Sequence, residues 1–440
     1  MTRIFPDYVY GDGPRRNCWW DTTCDLPEHP TLQSDASCDV AIIGAGFTGL
    51  NAALALARAG KSVIVLESNY PGWGASGRNG GFCCLGGSKL EDVDLDQRFG
   101  KPVRLEWRQT EKAAVEHVAR FLEEMNTDAD VHSEGETWVA HTRRRLSELD
   151  GAIEAVEENY GVTPILHSGD DLVQRGLSAG FHGGMTIPIG FALNPRKLVR
   201  ALVDSCFNAG VRICAHTPVR DLTRHSGVWS IRCPVHSVKA EQVLIATNGY
   251  SSEHVPDWLR ARYLPVQSSI VVSRPLTQNE LQDQGWTSHQ MCYDSRKLLH
   301  YFHLLPNNRM LFGMRGGLGG SLQSETRAKA RVAKDFVKMF PRWAGVPLTH
   351  YWSGMVCLAR NFIPFVGEVP DRKGLWVAMC YHGNGVAMGS YSGKLAGLAM
   401  MGGADERPTL LRQPLSTFPL GRARRALLAP AYLAFKMFDL

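Results

Sequence analysis

Three glycines and one carboxylate carry the first chemistry in this chain. Gly44, Gly46 and Gly49 fill a G-x-G-x-x-G pattern, and Glu67 stands 18 residues beyond the last of them. An apolar run at 40–43 precedes the pattern, and Leu50, Ala53, Leu54 and Ala57 follow it at helical spacing. Gly60 can end that helix, and 61–66 reads as a second strand closed by Glu67. In such a strand–turn–helix–strand unit the first glycine makes the tight turn and the second lets backbone approach a pyrophosphate. The third lets the helix pack on the strand. Phosphates would sit over free N–H groups at the positive helix end, and the carboxylate would accept hydrogen bonds from ribose hydroxyls. The pattern points to a dinucleotide and does not choose between NAD and FAD.

Two further loops have the composition of ligand loops. Residues 74–81 read Gly-Ala-Ser-Gly-Arg-Asn-Gly-Gly. The glycines free the backbone to approach a flat ligand, and Ser76, Arg78 and Asn79 supply donors. Residues 381–385, Tyr-His-Gly-Asn-Gly, lead into a helix rich in small residues. Backbone N–H groups and the positive helix end there would stabilise negative charge on a reduced flavin ring. For His382 alone, a hydrogen-bonded core histidine is the plainer reading.

These loops need a scaffold, and 440 residues are enough for two domains. Apolar content of 44% with 21% charged residues describes an ordinary globular chain. A net charge of +5 with interspersed signs does not argue for nucleic acid. The 11 cysteines have no metal-ligand spacing, and adjacent Cys83 and Cys84 suit no ordinary disulfide. They read as reduced thiols of a cytoplasmic protein without a metal site. There is no apolar signal core at the N-terminus and no run of 18 apolar residues.

Along the chain, Trp19 and Trp20 pin an irregular arm onto the body, and a helix is expected around 115–125. A second helix is expected across 146–156, a strand at 136–140, and a helix capped by Asn194 with Pro195 in its first turn. A β-meander is expected over 229–239. A hairpin follows, with strands 299–305 and 309–313 around Pro306-Asn307-Asn308, and then a strand at 374–379.

The set in this order resembles the D-amino acid oxidase superfamily of FAD-dependent amine oxidoreductases, which includes glycine and sarcosine oxidases. It is most like the bacterial γ-glutamylputrescine oxidase-like branch. The likeness rests on 38–67, Gly74 to Phe82, Phe181-His-Gly-Gly184 leading to Asn194-Pro195, Leu311-Phe-Gly313, and 376–385. It implies an α/β fold: a Rossmann-type FAD-binding domain interleaved with an α+β substrate domain containing an antiparallel sheet. The cofactor segments would be 1–90, 195–264 and 348–440, and the substrate segments 91–194 and 265–347.

The resemblance also implies where a non-covalent FAD is held. Gly44, Ala45, Gly46, Phe47, Thr48 and Gly49 would form the turn, with Glu67 and Ser68 at the ribose. Ala75, Ser76, Arg78, Asn79, Gly80 and Gly81 would follow the flavin. Val219 would offer its backbone to the adenine side, and Asn248 would end the strand that approaches the pyrophosphate. Gly383, Asn384, Gly385 and Val386 match the loop at the pyrimidine ring.

Departures from the family pattern shape the substrate expectation. The arginine that meets the carboxylate of free amino acids falls at 355–356, read here as Met-Val. An amine, or an amine with a distal acidic group, is therefore expected in place of a simple α-amino acid. The lysine that sarcosine oxidases place beside the flavin is absent by this comparison, with Phe312 near its position. Candidate substrate-facing residues are Arg78, Tyr301, His303, Trp352, Tyr381 and His382, whose aromatic members suit an amine; no catalytic residue is assigned. The expected reaction is hydride transfer from the carbon beside nitrogen to flavin N5, imine hydrolysis, and reoxidation by O2 to give H2O2. The alternatives are a dehydrogenase serving a quinone or protein acceptor, and a non-catalytic flavin-binding or assembly protein. Arg422, Arg424 and Arg425 ahead of an apolar stripe could touch a membrane, but packing on the cofactor segments is the favoured reading.

Overall fold

In the computed structural model, which describes residues 3–403 and 405–439, the apolar run at 40–43 lies inside a parallel sheet. The strand Ala36–Ile43 pairs in parallel with Ser237–Ile245 on one side and Val63–Leu66 on the other. Arg212–Cys214 and Leu375–Met379 extend the parallel order outward. A central parallel strand is covered on both faces, so it can be apolar throughout. Val40 and Ile42 belong to one core cluster with Leu50 and Leu54, whereas Ala41 and Ile43 belong to another with Val243 and Ile245. The meander forms from Asp221–His225 and Val228–Arg232 and joins the sheet antiparallel to Ser237–Ile245.

The helix Phe47–Arg58 packs unusually close to its neighbours. A Cβ on Gly49 would lie 1.9 Å from the Gly44 carbonyl oxygen, and Gly44 itself has φ +108°. The helix Ala387–Met400 approaches from the other side through Gly389, Gly393 and Gly397, spaced four residues apart along one face. A Cβ on Gly393 would meet the Thr48 carbonyl oxygen at 2.2 Å. The long helix Lys101–Glu124 adds Trp107, Val115 and Val118 to the same core cluster. It therefore packs with the parallel sheet, although the sequence groups it with the substrate segments.

A second eight-stranded sheet stands beside the first. Its hairpin, His300–Leu304 and Met310–Arg315, is the expected one, turned at Asn308 with φ +60°. Cys292–Asp294 and Glu136–Val139 continue from the first hairpin strand, and Leu264–Ser273 and Leu348–Leu358 continue from the second. Leu348–Leu358, grouped with the cofactor segments by sequence, is thus the edge of this second sheet. Phe302 and Phe312 point to one face and pack with Phe336, Phe340 and Trp343. The opposite face has an apolar patch of Ile270, Val272, Leu311 and Trp352 beside Ser268, Tyr301 and Arg315, which line the cavity with the glycine loops.

Asn194 caps Pro195–Asn208, its Oδ1 accepting from the N–H groups of Arg196 and Lys197. The helix expected across 146–156 is broken: Gly151 at φ +73° separates Arg143–Leu146 and a short 3-10 turn from Ala152–Tyr160. The C-terminal segment packs mostly on residues of the expected cofactor segments, among them Glu253, Tyr263, Leu264 and Leu358. Leu428 packs on Leu264 and Val266 of the second sheet. Arg424 turns inward, fully buried, and pairs with Glu253 at 2.6 Å. Among the described residues no helix is long and apolar enough to cross a membrane.

Two glycine substitutions separate close packing from backbone conformation. Gly60 has φ +82° with nothing near a built Cβ, so Gly60→Ala should cost about 1 kcal/mol. Gly49→Ala should cost more than about 3 kcal/mol, because two backbone segments must separate. Thermal melts of both variants check this, and equal melting temperatures would contradict the packing argument.

Candidate active site

One cavity runs from Glu67 and Val219, past the glycine turn, to Ser268, Tyr301 and Arg315 on the second sheet. Glu67 ends the strand Val63–Leu66. Its Oε2 accepts from the Ala45 N–H and its Oε1 from the Asn69 N–H, both at 2.9 Å. Burial raises this carboxyl above its ordinary value, and the two N–H groups oppose that rise. Ser76 Oγ accepts from the Phe47 N–H at 2.9 Å and lies 2.8 Å from a Cβ built on Gly46. The second glycine of the pattern therefore also lets the 74–81 loop close over the turn.

The expected cofactor residues converge here. Gly44, Gly46, Phe47, Thr48, Glu67 and Ser68 line the cavity, as do Ala75, Ser76, Arg78, Asn79 and Gly80. Val219, Asn248, Gly383, Asn384, Gly385 and Val386 complete its wall. Three stand behind it: Ala45 serves Glu67, Gly49 packs under the turn, and Gly81 folds the loop against the Leu193 carbonyl.

The six candidate substrate residues divide. Arg78, Tyr301 and Tyr381 line the cavity. Arg78 is 2% exposed; its Nε donates to the Trp73 carbonyl and its plane covers the Trp73 ring at 4.1 Å. Its Nη2 is buried without a partner, and burial lowers its pKa. Tyr301 lies over Gly313, where a Cβ would collide with its ring at 2.1 Å. Its hydroxyl pairs with Ser268 Oγ at 2.8 Å, and burial pushes it up to about 12.

His303, Trp352 and His382 are behind the wall, which corrects the expectation that they face substrate. Trp352 Nε1 donates to the Arg78 carbonyl and His303 Nε2 to the Gly80 carbonyl. Both hold the 74–81 loop by its backbone. His382 Nδ1 donates to the Gly87 carbonyl, and its Nε2 accepts from the Ala359 N–H. Burial lowers His382 to about 3, so it stays neutral. Each is a bulky side chain that spends a ring N–H on a backbone carbonyl.

Sequence reasoning missed four residues: Lys89, Glu136, Tyr293 and Arg315. Strand register explains three of them. Tyr293 lies opposite Tyr301, which lies opposite Gly313. Arg315, two residues beyond Gly313, shares that face, and so does Ser268 opposite it. Trp138 is the parallel partner of Tyr293, so Glu136 shares the face as well. The signal available in sequence was a charge closing the apolar run 310–314. Lys89 follows the glycine-rich 80–87 stretch and also lines the cavity.

Electrostatically this end holds two cations and one carboxylate. Burial, then the Arg315 charge, pulls Lys89 down to about 7. Burial lowers Arg315 too. Arg315 touches the 381–385 loop, since a Cβ on Gly383 would lie 2.6 Å from its Nη2. Neither cation has a carboxylate partner among the described residues. Burial pushes Glu136 up to about 7. Among the described residues no group of three His, Cys, Asp or Glu side chains is placed for a metal.

This wall fits FAD. The buried orphan Nη2 of Arg78, the N–H groups of the glycine turn and the glycine-lined 74–80 and 383–385 loops offer donors and close approach along its length.

Comparison with known proteins agrees. Residues 39–397 match the family model described as "DAO: FAD dependent oxidoreductase". The chain is 28% identical over 396 residues to the probable oxidoreductase OrdL of Haemophilus influenzae, covering 89% of each chain. It is 26% identical over 397 residues to the γ-glutamylputrescine oxidoreductase of Escherichia coli, covering 90% of this chain and 91% of that one. The crystal structure of glycine oxidase from Geobacillus kaustophilus shares the fold, with TM-score 0.69 and 20% identity over 87% of this chain and all of that one.

The purified protein should carry one FAD per chain. Cys84 and Cys357 line the cavity, but burial drives the Cys84 thiol far above its ordinary value, which disfavours a thiolate link. Acid precipitation should therefore release all yellow colour into the supernatant; colour retained in the pellet would show a covalent bond.

Proposed function

This chain belongs to the FAD dependent oxidoreductase family and acts on CH–NH groups, and we propose that its substrate is an amine or amino-acid-like molecule bearing an anionic group. The observation that carries this reading is the pair of buried basic side chains without a salt bridge among the described residues, Lys89 and Arg315, in the wall of the same cavity as the dinucleotide turn. A buried cation without a partner is costly, and a bound carboxylate offsets that cost. The sequence expectation of a distal acid on the substrate is supported at a different place from the family's usual arginine. The name of the Escherichia coli relative supports γ-glutamylputrescine and related γ-glutamyl amines as the first compounds to test.

Bound FAD supplies the two-electron acceptor for the C–H bond beside nitrogen. The protein's share is orientation and exclusion of water. Arg315, Lys89 and Tyr301 fix the substrate against the Tyr381-to-Gly385 loop. That loop opens the helix Ala387–Met400, whose positive end favours negative charge nearby. The imine product then takes up water to give a carbonyl compound and an amine or ammonia. Oxygen as final acceptor is supported by the same two cations, because positive charge favours anions formed from O2. A reducing, cytoplasmic setting is supported by eleven cysteines that are all free thiols.

The test is anaerobic mixing with γ-glutamyl amines, polyamines, N-methyl amines and D- and L-amino acids, reading flavin absorbance. Bleaching by acid-bearing amines, with fast recovery in air, is the expected result. Slow recovery would favour a quinone or protein acceptor, and no bleaching by any amine would favour a non-catalytic flavin protein. Arg315→Met should weaken acid-bearing substrates about 10- to 100-fold, the worth of one charged hydrogen-bonded contact. Plain amines should bind it as they bind the parent enzyme.

A further inference from the structure

We propose that Glu136 takes the proton from the substrate's ammonium inside the cavity, so that the amine is neutral before its C–H bond breaks. The inference rests on the amine reading above and adds a proton acceptor that the sequence left unassigned. Glu136 opens the strand Glu136–Val139 and is 4% exposed. Its Oε2 accepts from the Leu85 N–H and its Oε1 from the Tyr293 hydroxyl, both at 2.8 Å. Two neutral donors fix the carboxylate and leave each oxygen a lone pair. Among the described residues no lysine, arginine or histidine pairs with it.

Its buried neighbour Glu111 is different. Arg108 holds Glu111 at 2.9 Å, and the Tyr160 hydroxyl donates to the same oxygen at 2.8 Å. Glu111 is salt-bridged within its own helix, whereas Glu136 lines the cavity with no salt bridge among the described residues. A substrate whose anionic group meets Arg315 and Lys89 would bring its ammonium to Glu136, the carboxylate at that end of the cavity.

The charge environment suits the task. Tyr293, the Leu85 N–H and Lys89 hold the Glu136 carboxyl down, while burial and the Glu111 charge push it up to about 7. Cys83, Cys84 and Tyr160 also face it; burial keeps all three thiol and phenol groups protonated. A carboxyl near 7 is a better base than an ordinary one and is still half ionised near neutrality. The step is a proton transfer alone: an N–H bond breaks, an O–H bond forms on Glu136, and no electrons change hands. The proton leaves to water after the product departs.

Glu136→Gln tests the role through two readouts. The first is calorimetric binding of 4-amino-4-methylpentanoate, whose nitrogen-bearing carbon has no hydrogen to lose. Measured at pH 8.5 in buffers of different ionisation enthalpy, E136Q should release about one more proton per amine bound than the parent enzyme. The second is the pH profile of anaerobic flavin bleaching by whichever amine the screen identifies. E136Q should be slowed at least 100-fold at pH 7 and recover toward the parent rate above the substrate's own ammonium pKa. A residue that only supported the fold would not recover. Tyr293→Phe removes a donor to the ionised carboxylate, so it should move the acidic limb of the profile to higher pH with FAD content unchanged; it stands in if E136Q fails to load FAD. If no amine bleaches the parent flavin, the assignment of an amine substrate falls. If amines bleach it and the variants keep the parent's proton count and pH profile, this inference alone falls.

Discussion

Backbone packed directly on backbone at the start of the Phe47–Arg58 helix sets the geometry of everything around it. Gly49 lies beneath the Gly44 carbonyl, and Gly393 lies on the Thr48 carbonyl. No side chain separates the turn, its own helix and the Ala387–Met400 helix. The distance between the 44–49 turn and the 381–385 loop is thus fixed by van der Waals contact and not by adjustable side chains. Thr48 reinforces the junction, with its Oγ1 2.9 Å from the Gly389 carbonyl and 3.0 Å from the Tyr381 hydroxyl. Two ends of a long ligand site are held on one rigid body.

The second sheet depends on that junction for its meaning. Strand alternation gives it an aromatic face around Phe302 and Phe312, which anchors it to Phe336 and Phe340 at the end of the Leu322–Met339 helix. The other face carries Ser268, Tyr293, Tyr301, Arg315 and Glu136 toward the cavity. Gly313 matters because its missing side chain gives the Tyr301 ring a place to lie. Among buried side chains, charges of both signs act strongly on a ligand. The placement of Lys89, Arg315 and Glu136 can therefore select and orient an amine that also bears an acid.

Between the two sheets, the 74–81 loop is held by side chains whose polar tips are already spent. Trp20 Nε1 donates to the Asn79 carbonyl, Trp352 Nε1 to the Arg78 carbonyl, and His303 Nε2 to the Gly80 carbonyl. His303 is further supported by His132, 2.8 Å away and stacked on it. Three successive carbonyls of a glycine-rich loop are thus pinned from outside. Flexibility in composition becomes a fixed surface in the fold, which is what a flat ligand requires.

The sequence by itself determined the cofactor end. Its signals are local: glycine spacing, the strand before, the helix after and the acid that follows all lie within thirty residues of chain. Short-range sterics make such a unit legible, because each glycine is demanded by an atom a few residues away. The Asn194 cap and the hairpin at Asn308 were readable for the same reason. The substrate end was decided only by tertiary structure. Glu136, Tyr293 and Arg315 come from strands far apart in sequence, and only the pairing register shows that they share a face. Nor could residue type tell that Trp352, His303 and His382 each spend a ring N–H on a backbone carbonyl while Lys89 reaches the cavity. Which way a side chain faces depends on what packs behind it, and that information is not local.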